Sequence, residues 1–381
     1  MPPAIVDGEL YWLQRRDFLE SAGYSLRPKF QPGFSPPAPS SLGHEHEAMH
    51  LKMKIMDARR NSDDMQVMLK RISRKIHPSE VEIGRMFSSP PLSDDPRNHC
   101  VPILEVLQDP QYCDEDIIVM PLFMPFTRPG FDTVGEAVDC FRQLFEGLHF
   151  MHTNFVAHRD CGLLNIVQDA TKLYPQGFHP VSPWVNTAYD RLSRAITRTE
   201  CWPHYYFIDF GLSRRYSPAA GPPLEDVILG GDKSPPEHSR NSQCNPFPTD
   251  IYFLGNLLNI HFIRSDPWAI YNGCGYHKPL AFLEPLVRDM IQIDASLRPT
   301  ISEVIERFDS LCAKLRPWHL RRPGQAMSWC DRPNHFWRQL KNAARGVPPL
   351  PPRRAPSIDR PDSRMRAFYT AGPELRSPDF R

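Results

Sequence analysis

The sequence predicts an α+β fold in which a small strand-rich part precedes a larger, mainly helical part. Short apolar runs separated by polar turns recur between residues 51 and 120, a pattern typical of strands. Residues 133–153 instead carry their apolar side chains in one stripe at helical spacing. A chain of 381 residues is long enough to form two such parts, each with its own core.

Composition and charge exclude several classes of protein. The chain has 45 Lys and Arg against 44 Asp and Glu, a net charge of +1, which argues against a general nucleic-acid or membrane binder. It has no apolar stretch long enough to span a membrane, and its start lacks the pattern of a signal peptide. Nine cysteines without a close pair indicate free thiols in a reducing compartment. We therefore expect a cytoplasmic or nuclear protein.

The sequence of the first third of the chain predicts short helices and strands. A helix over residues 9–22, with its stop at Gly23, forms an N-terminal extension, residues 1–23. Further strands are predicted at 24–30, 51–56, 66–72, 101–107 and 116–120, and a helix at 79–87.

Two motifs near the middle of the chain carry the chemistry. The first is His-Arg-Asp-Cys-Gly-Leu-Leu-Asn at 158–165, directly after the striped helix, and it places Asp160 and Asn165 five residues apart. The second is a short apolar strand that ends in Asp-Phe-Gly at 209–211. Together and in this order they resemble the catalytic loop and the metal-binding turn of eukaryotic protein kinases, closest to divergent fungal kinase-like proteins.

The resemblance covers about residues 50 to 315 and implies a bilobal fold. It places a small β-rich N-lobe at 24–123 and a larger, mainly helical C-lobe at 124–317. An insertion at about 170–204 replaces the tight hairpin usual in the family. Its aromatic residues suggest a docking surface, although a surface loop is equally compatible with them.

The resemblance also implies roles for individual residues. Asp160 would accept the proton of a substrate hydroxyl, and Asn165 and Asp209 would hold Mg²⁺. Val-Met-Leu-Lys at 67–70 resembles the family's Val-Ala-Ile-Lys, so Lys70 would pair with the ATP phosphates and with a helix glutamate.

Two glutamates of the predicted helix are candidates for that pairing. Glu80 and Glu82 cannot share a helix face, because two residues correspond to about 200° of rotation. The sequence favours Glu82, since the family places an apolar residue such as Met86 one turn below the glutamate. Glu80 is then expected to face outward.

The resemblance implies that Met68, Met120, Leu122 and Val167 surround the adenine. Met68 departs from the family, which has an alanine there, but methionine is flexible enough to bend aside. Pro121 removes one backbone donor from the segment that normally binds adenine, though not the donor of Leu122.

Later motifs favour a protein kinase over other phosphotransferases. Asp250 resembles the aspartate that anchors the catalytic-loop backbone, and Arg298 the arginine that pairs with a glutamate, here Glu237. The activation segment would span 212–237, and Arg159 would receive a phosphate carried by it.

Other positions depart from the family. The spacing of glycines gives no Gly-x-Gly-x-x-Gly phosphate lid. Gly162 and Leu164 stand where the family has its catalytic lysine or arginine, and Gly230 replaces the threonine that touches this cation. Losing one such electrostatic donor costs on the order of 10² to 10³ in rate. Unless another cation such as Lys233 takes this place, the sequence thus predicts a slow protein kinase directed to Ser/Thr, with a pseudokinase scaffold as the alternative.

Residues 318–381 are basic and rich in Pro and Arg, and this composition predicts a disordered tail. Its aromatic residues, among them Phe336 and Trp337, could dock on the core. Within it, Pro348, Pro351 and Arg353 fit a Pro-x-x-Pro-x-Arg ligand for an SH3 domain. Such runs are common in proline-rich tails, so a plain tail remains the other interpretation.

Overall fold

The computed structural model describes residues 7–35, 54–228, 230–240, 243–264, 278–324, 327, 330–352 and 369. The fold is α+β, as predicted. It divides into two compact units, of which the first comprises Met1–Asp94, Cys100–Phe126 and Val167–His204. The second comprises Asp95–His99, Thr127–Ile166 and Tyr205–Arg381.

The elements are numbered in chain order. The strands are β1 (Tyr24–Leu26), β2 (Ile55–Arg60), β3 (Met65–Ser73), β4 (Glu105–Gln108), β5 (Glu115–Pro121), β6 (Met124–Pro125), β7 (Val156–Ala157), β8 (Ile166–Gln168), β9 (Tyr205–Phe207) and β10 (Arg214–Arg215). The helices are α1 (Asp7–Leu13), α2 (Arg16–Ser21), α3 (Glu80–Phe87), α4 (Val134–Thr153), α5 (Arg198–Cys201), α6 (Pro246–Leu258), α7 (Glu284–Met290), α8 (Ile301–Ala313), α9 (Pro317–Leu320) and α10 (Asp331–Ala344). None of these described helices is both long and apolar enough to cross a membrane.

A five-stranded antiparallel sheet forms the centre of the first unit, in the order β1-β2-β3-β5-β4. Residues alternate across it, so Val67 and Leu69 of β3 are buried in the core. Met68 and Lys70 lie on the other face. The predicted strand at 51–56 is displaced, because β2 begins at Ile55, and residues 51–53 are outside the described part.

The N-terminal extension belongs to this core. Two short helices, α1 and α2, replace the single predicted helix, and their residues Trp12 and Leu19 are fully buried. Arg15 forms an ion pair with Asp109, and both side chains are inaccessible to solvent. An arginine and a carboxylate can be buried together because each satisfies the other's charge and hydrogen bonds.

The insertion also belongs to the first unit. Its helix is α5, at 198–201. Arg198 is 1% exposed and donates to the Phe126 carbonyl at 2.7 Å and to the Gln168 side chain at 3.1 Å. These bonds fix the end of the insertion against the β6–β8 pair.

The second unit is built around α4, which confirms the helix predicted from the apolar stripe. Thr133 caps its start, with the Glu136 backbone N–H donating to the Thr133 hydroxyl at 3.1 Å. Phe141 and Phe145 are fully buried, and Phe145 makes an edge-to-face contact with Phe308 of α8. Every residue of α6 is also buried, so the helix that carries Asp250 is held on all sides.

The prediction of a disordered tail is wrong for residues 331–344, which form α10. This helix buries its polar face, because its partner is the carboxylate of Asp132, which accepts hydrogen bonds from Arg338 and Gln339. Its aromatic residues Phe336 and Trp337 are exposed, so they do not dock on the core. Polar pairing, not burial of aromatic rings, attaches this segment.

Candidate functional site

The loop at 158–165 is anchored by one buried carboxylate. Asp250 is fully buried, and it accepts the backbone N–H of His158 at 2.8 Å and that of Arg159 at 2.7 Å. This is the anchor that the sequence predicts. Arg159 has a φ of 69°, a left-handed conformation that is unfavourable for an arginine. The bond from its own N–H to Asp250 helps to hold that conformation.

Asp160 follows the anchored residues and is partly buried. Its carboxylate accepts a 2.7 Å hydrogen bond from the Asn165 side-chain amide and a 2.9 Å bond from the backbone N–H of Gly231. Burial raises the pKa of Asp160, although the Gly231 N–H, the neighbouring His158 and the Asn165 amide oppose the shift. A carboxylate with a raised pKa is a stronger proton acceptor, which suits a general base.

The second motif lies beside the first. The Asn165 carbonyl accepts the backbone N–H of Ile208 at 3.0 Å, and the ring of His158 bonds the Ile208 carbonyl at 3.2 Å. Asp209 follows at once, exposed and in a left-handed conformation with φ 68°. The structure therefore brings together Asp160, Asn165 and Asp209, although Asp209 is more than forty residues along the chain from the other two.

The oxygen donors at this place suit a magnesium ion. The side-chain amide nitrogen of Asn165 donates to Asp160. The side-chain carbonyl oxygen of Asn165 is therefore directed away from Asp160. Asp209 adds an exposed carboxylate. Within the described residues no group of three or more His, Cys, Asp or Glu forms a metal cage. A site of two oxygen ligands is nevertheless typical of Mg²⁺, which keeps several waters and takes phosphate oxygens as well.

Lys70 pairs with Glu80 and not with Glu82, so the predicted partner is wrong. The Lys70 ammonium donates to the Glu80 carboxylate, which is 2% exposed, whereas Glu82 is exposed. The reason is which face of α3 is buried. Ile83 and Phe87 are buried, and Glu80 precedes them by three and seven residues on that same helical face. The sequence argument used Met86, which is only partly buried.

Three of the predicted adenine contacts lie together in the first unit. Met68 pairs with Met120 across the β3–β5 ladder and packs against the cluster that contains Leu122. Val167 is buried and pairs with Pro125 in the β6–β8 ladder. The expected backbone donor at Leu122 is already used, because its N–H donates to the Gln66 carbonyl at 3.1 Å.

The predicted residues thus form two sets, one within each unit. Lys70 and the adenine candidates are in the first unit, and Asp160, Asn165 and Asp209 are in the second. The prediction that the phosphate lid is missing or rebuilt depends on the spacing of Gly23, Gly33 and Gly43. Gly23 and Gly33 are described, and Gly43 lies outside the described part.

The segment after Asp209 is held by ion pairs. The guanidinium of Arg159 lies 3.8 Å from the carboxylate of Glu225, so a carboxylate faces the group expected to receive a phosphate. Ser213 is buried and donates to the His158 carbonyl at 3.0 Å. At the end of the segment, Glu237 and Arg298 form the predicted pair through two hydrogen bonds of 2.7 Å.

Sequence reasoning missed two contributions to this site. Glu80 was assigned to the wrong face, and Gly231 acts through its backbone N–H, for which no side-chain pattern exists. The pair of glycines at 230–231 was the available signal, because a Cβ at Gly230 would lie 2.7 Å from Oδ1 of Asp160. Comparison with models of protein families gives no match to this chain, and comparison with curated proteins gives none either.

Proposed function

We propose that the chain is an ATP-dependent protein kinase of low activity, which transfers the γ-phosphoryl group to a protein hydroxyl, by default Ser or Thr. The observation that carries the proposal is the Asn165–Ile208 hydrogen bond of 3.0 Å, which sets the Asp160 loop beside Asp209. A proton acceptor and two oxygen ligands in one place are what phosphoryl transfer requires. The two units described above would correspond to the lobes of a bilobal kinase fold.

In the proposed reaction Asp160 accepts the proton of the substrate hydroxyl. Two of its lone-pair sites are used by Asn165 and Gly231, and a carboxylate has about four, so it can still accept a third hydrogen bond. The buried Asp250 fixes the loop backbone and limits reorientation of Asp160 during transfer. Lys70, held by Glu80, would bind the α and β phosphates.

Asn165 and Asp209 would hold Mg²⁺. When bound, the ion would neutralise charge on the phosphate oxygens. The Asn165 amide bond to Asp160 orients the base and the metal ligand relative to each other, since one side chain serves both. Gly162 provides no cation for the transferred group, which is why we expect slow turnover.

The alternative is a pseudokinase that binds partners without transferring phosphate. It is favoured by the Leu122 N–H, which is taken up by Gln66, and by the exposed Phe336 and Trp337 of α10. An SH3 domain is one candidate partner. Pro348 is exposed but Pro351 is buried, so this ligand would have to be released from the fold, and Arg353 lies outside the described residues.

Phosphate transfer by wild type and by Asp160→Asn tests the proposal. We expect Mg²⁺-ATP to raise the melting temperature of both proteins and the variant to lose about 10² to 10⁴ in rate. Asp17→Asn, which changes an aspartate that is 88% exposed, is the matched control and keeps full activity. Equal transfer by wild type and Asp160→Asn would remove the catalytic assignment. Absence of a thermal shift would favour the pseudokinase.

A further inference from the structure

A tyrosine from near the end of the chain lies in the core of the second unit. Tyr369 is 5% exposed, and its ring packs against those of Phe247 and His152, with centroids 6.1 and 5.7 Å apart. Its hydroxyl is hydrogen-bonded to Nδ1 of His152. Burial raises the pKa of Tyr369 well above its ordinary value, so the hydroxyl keeps its proton.

His152 connects this hydroxyl to the anchor of the catalytic loop. Its Nε2 lies 3.0 Å from Oδ2 of Asp250, and both side chains are fully buried. A carboxylate accepts, so Nε2 donates to Asp250, and in the neutral ring the other nitrogen, Nδ1, accepts from Tyr369. The same Oδ2 accepts the His158 N–H. A single hydrogen-bonded chain therefore runs from Tyr369 to the residue two positions before Asp160.

Each link of the chain depends on the next. Without the Tyr369 hydroxyl, the buried Nδ1 of His152 would lose its hydrogen-bond donor. The imidazole ring would then be free to rotate, or Nδ1 would be free to bind a water molecule. Either change alters the donor that Nε2 presents to Asp250. A partly satisfied buried network is less well fixed than a complete one.

We propose that Tyr369 is a positioning residue, which holds the catalytic loop through His152 and Asp250. The proposal rests on the proposed kinase function where it concerns rate, but the loop-holding itself does not. A single residue far along the chain from Asp160 would thereby set the geometry of the reacting carboxylate. Removing or displacing Tyr369 would loosen the loop without touching the base or the metal ligands.

Amide hydrogen exchange in full-length Tyr369→Phe tests the loop-holding. The change removes one oxygen and keeps the ring. We expect the peptide covering 156–162, which contains the His158 and Arg159 amides, to exchange about tenfold faster. Peptides from the middle of α4 should keep their wild-type rates. Uniformly faster exchange throughout the second unit would show a general loss of stability and would overturn the positioning role, as would an unchanged loop.

Tyr216→Phe is the matched control. Tyr216 also packs on Phe247, with centroids 5.6 Å apart, but its hydroxyl has no hydrogen-bond partner among the described residues. Its removal should leave loop exchange unchanged, and equal effects of the two variants would overturn the proposal. In the transfer assay Tyr369→Phe should lower kcat severalfold with an unchanged KM for ATP. If wild type transfers no phosphate, the kinase proposal fails, while the exchange experiment still decides whether Tyr369 holds the loop.

Discussion

The backbone N–H of Gly231 donates a 2.9 Å hydrogen bond to Oδ1 of Asp160. The preceding residue, Gly230, approaches as closely, since an added Cβ would lie 2.7 Å from the same oxygen and 3.0 Å from Cγ. A side chain at 230 must therefore displace either Asp160 or the segment. We expect Gly230→Ala to lower kcat by about 10- to 100-fold with a small change in melting temperature.

Gly162→Ala is the control for this change. It lies two residues after Asp160, has an ordinary φ of −92°, and an added Cβ would meet no atom within 4 Å. Its kcat should stay near that of wild type. Steady-state phosphate transfer measures both variants. Similar rates for the two would show that the close approach of Gly230 has no catalytic consequence.

The open space at Gly162 permits a gain of function. A lysine there would supply the cation that protein kinases usually carry two residues after the base, and the backbone at 162 accepts a side chain without strain. We expect Gly162→Lys to raise kcat by about tenfold or more, because a positive charge stabilises the developing charge on the transferred group. Gly162→Gln has similar reach without the charge. If Gly162→Gln raised kcat by the same factor, the effect of the lysine would not be due to its charge.

Features set by local pattern were predictable from the sequence. Helix α4 follows from its apolar stripe, because burial of that stripe leaves few alternatives. The Asp250 anchor and the Glu237–Arg298 pair were predicted through the resemblance to protein-kinase motifs, whose residues stand in recognisable short sequences.

Features set by helix phase or by backbone groups were not predictable. Glu80 and Glu82 are chemically identical, and only the face that α3 presents to its neighbours decides which one meets Lys70. Helix α10 buries its polar face instead of an apolar one, because its partner is the charged Asp132 and not an apolar surface. The sequence contains no sign of that partner. Tyr369 likewise stands in a basic tail, with no pattern that predicts burial.

The Lys70–Glu80 pair can be tested by a matched pair of substitutions on one helix. Glu80→Gln keeps the shape but removes the charge beside a largely buried ammonium, so we expect a loss of about 2–4 kcal/mol in the free energy of unfolding and a lower rate of transfer. Glu82→Gln changes an exposed residue two positions away, and it should leave both the free energy of unfolding and the rate of transfer unchanged. Urea unfolding and the transfer assay report the two effects. A larger loss from Glu82→Gln would restore the original assignment.

The Glu237–Arg298 pair predicts a specific dependence of stability on pH. Burial alone would raise the pKa of Glu237, but the hydrogen bonds and charge of Arg298 outweigh it and hold the pKa below its ordinary value of 4.5. Because the folded pKa is the lower one, the unfolded chain binds the proton more readily. The stabilisation is therefore complete above the unfolded pKa and is lost as pH falls through the folded one.

Glu237→Gln removes this ionisation while leaving Arg298 buried. We expect it to cost about 3–5 kcal/mol at pH 7, because a buried guanidinium loses its counter-charge. Since wild type loses the same stabilisation on acidification, the difference between the two proteins should shrink below about pH 5. Urea unfolding from pH 7 to pH 3 measures it, with the exposed Glu306→Gln as a control whose difference from wild type stays small throughout. A difference for Glu237→Gln that is constant over this range would mean that Glu237 does not ionise differently in the folded and unfolded chains.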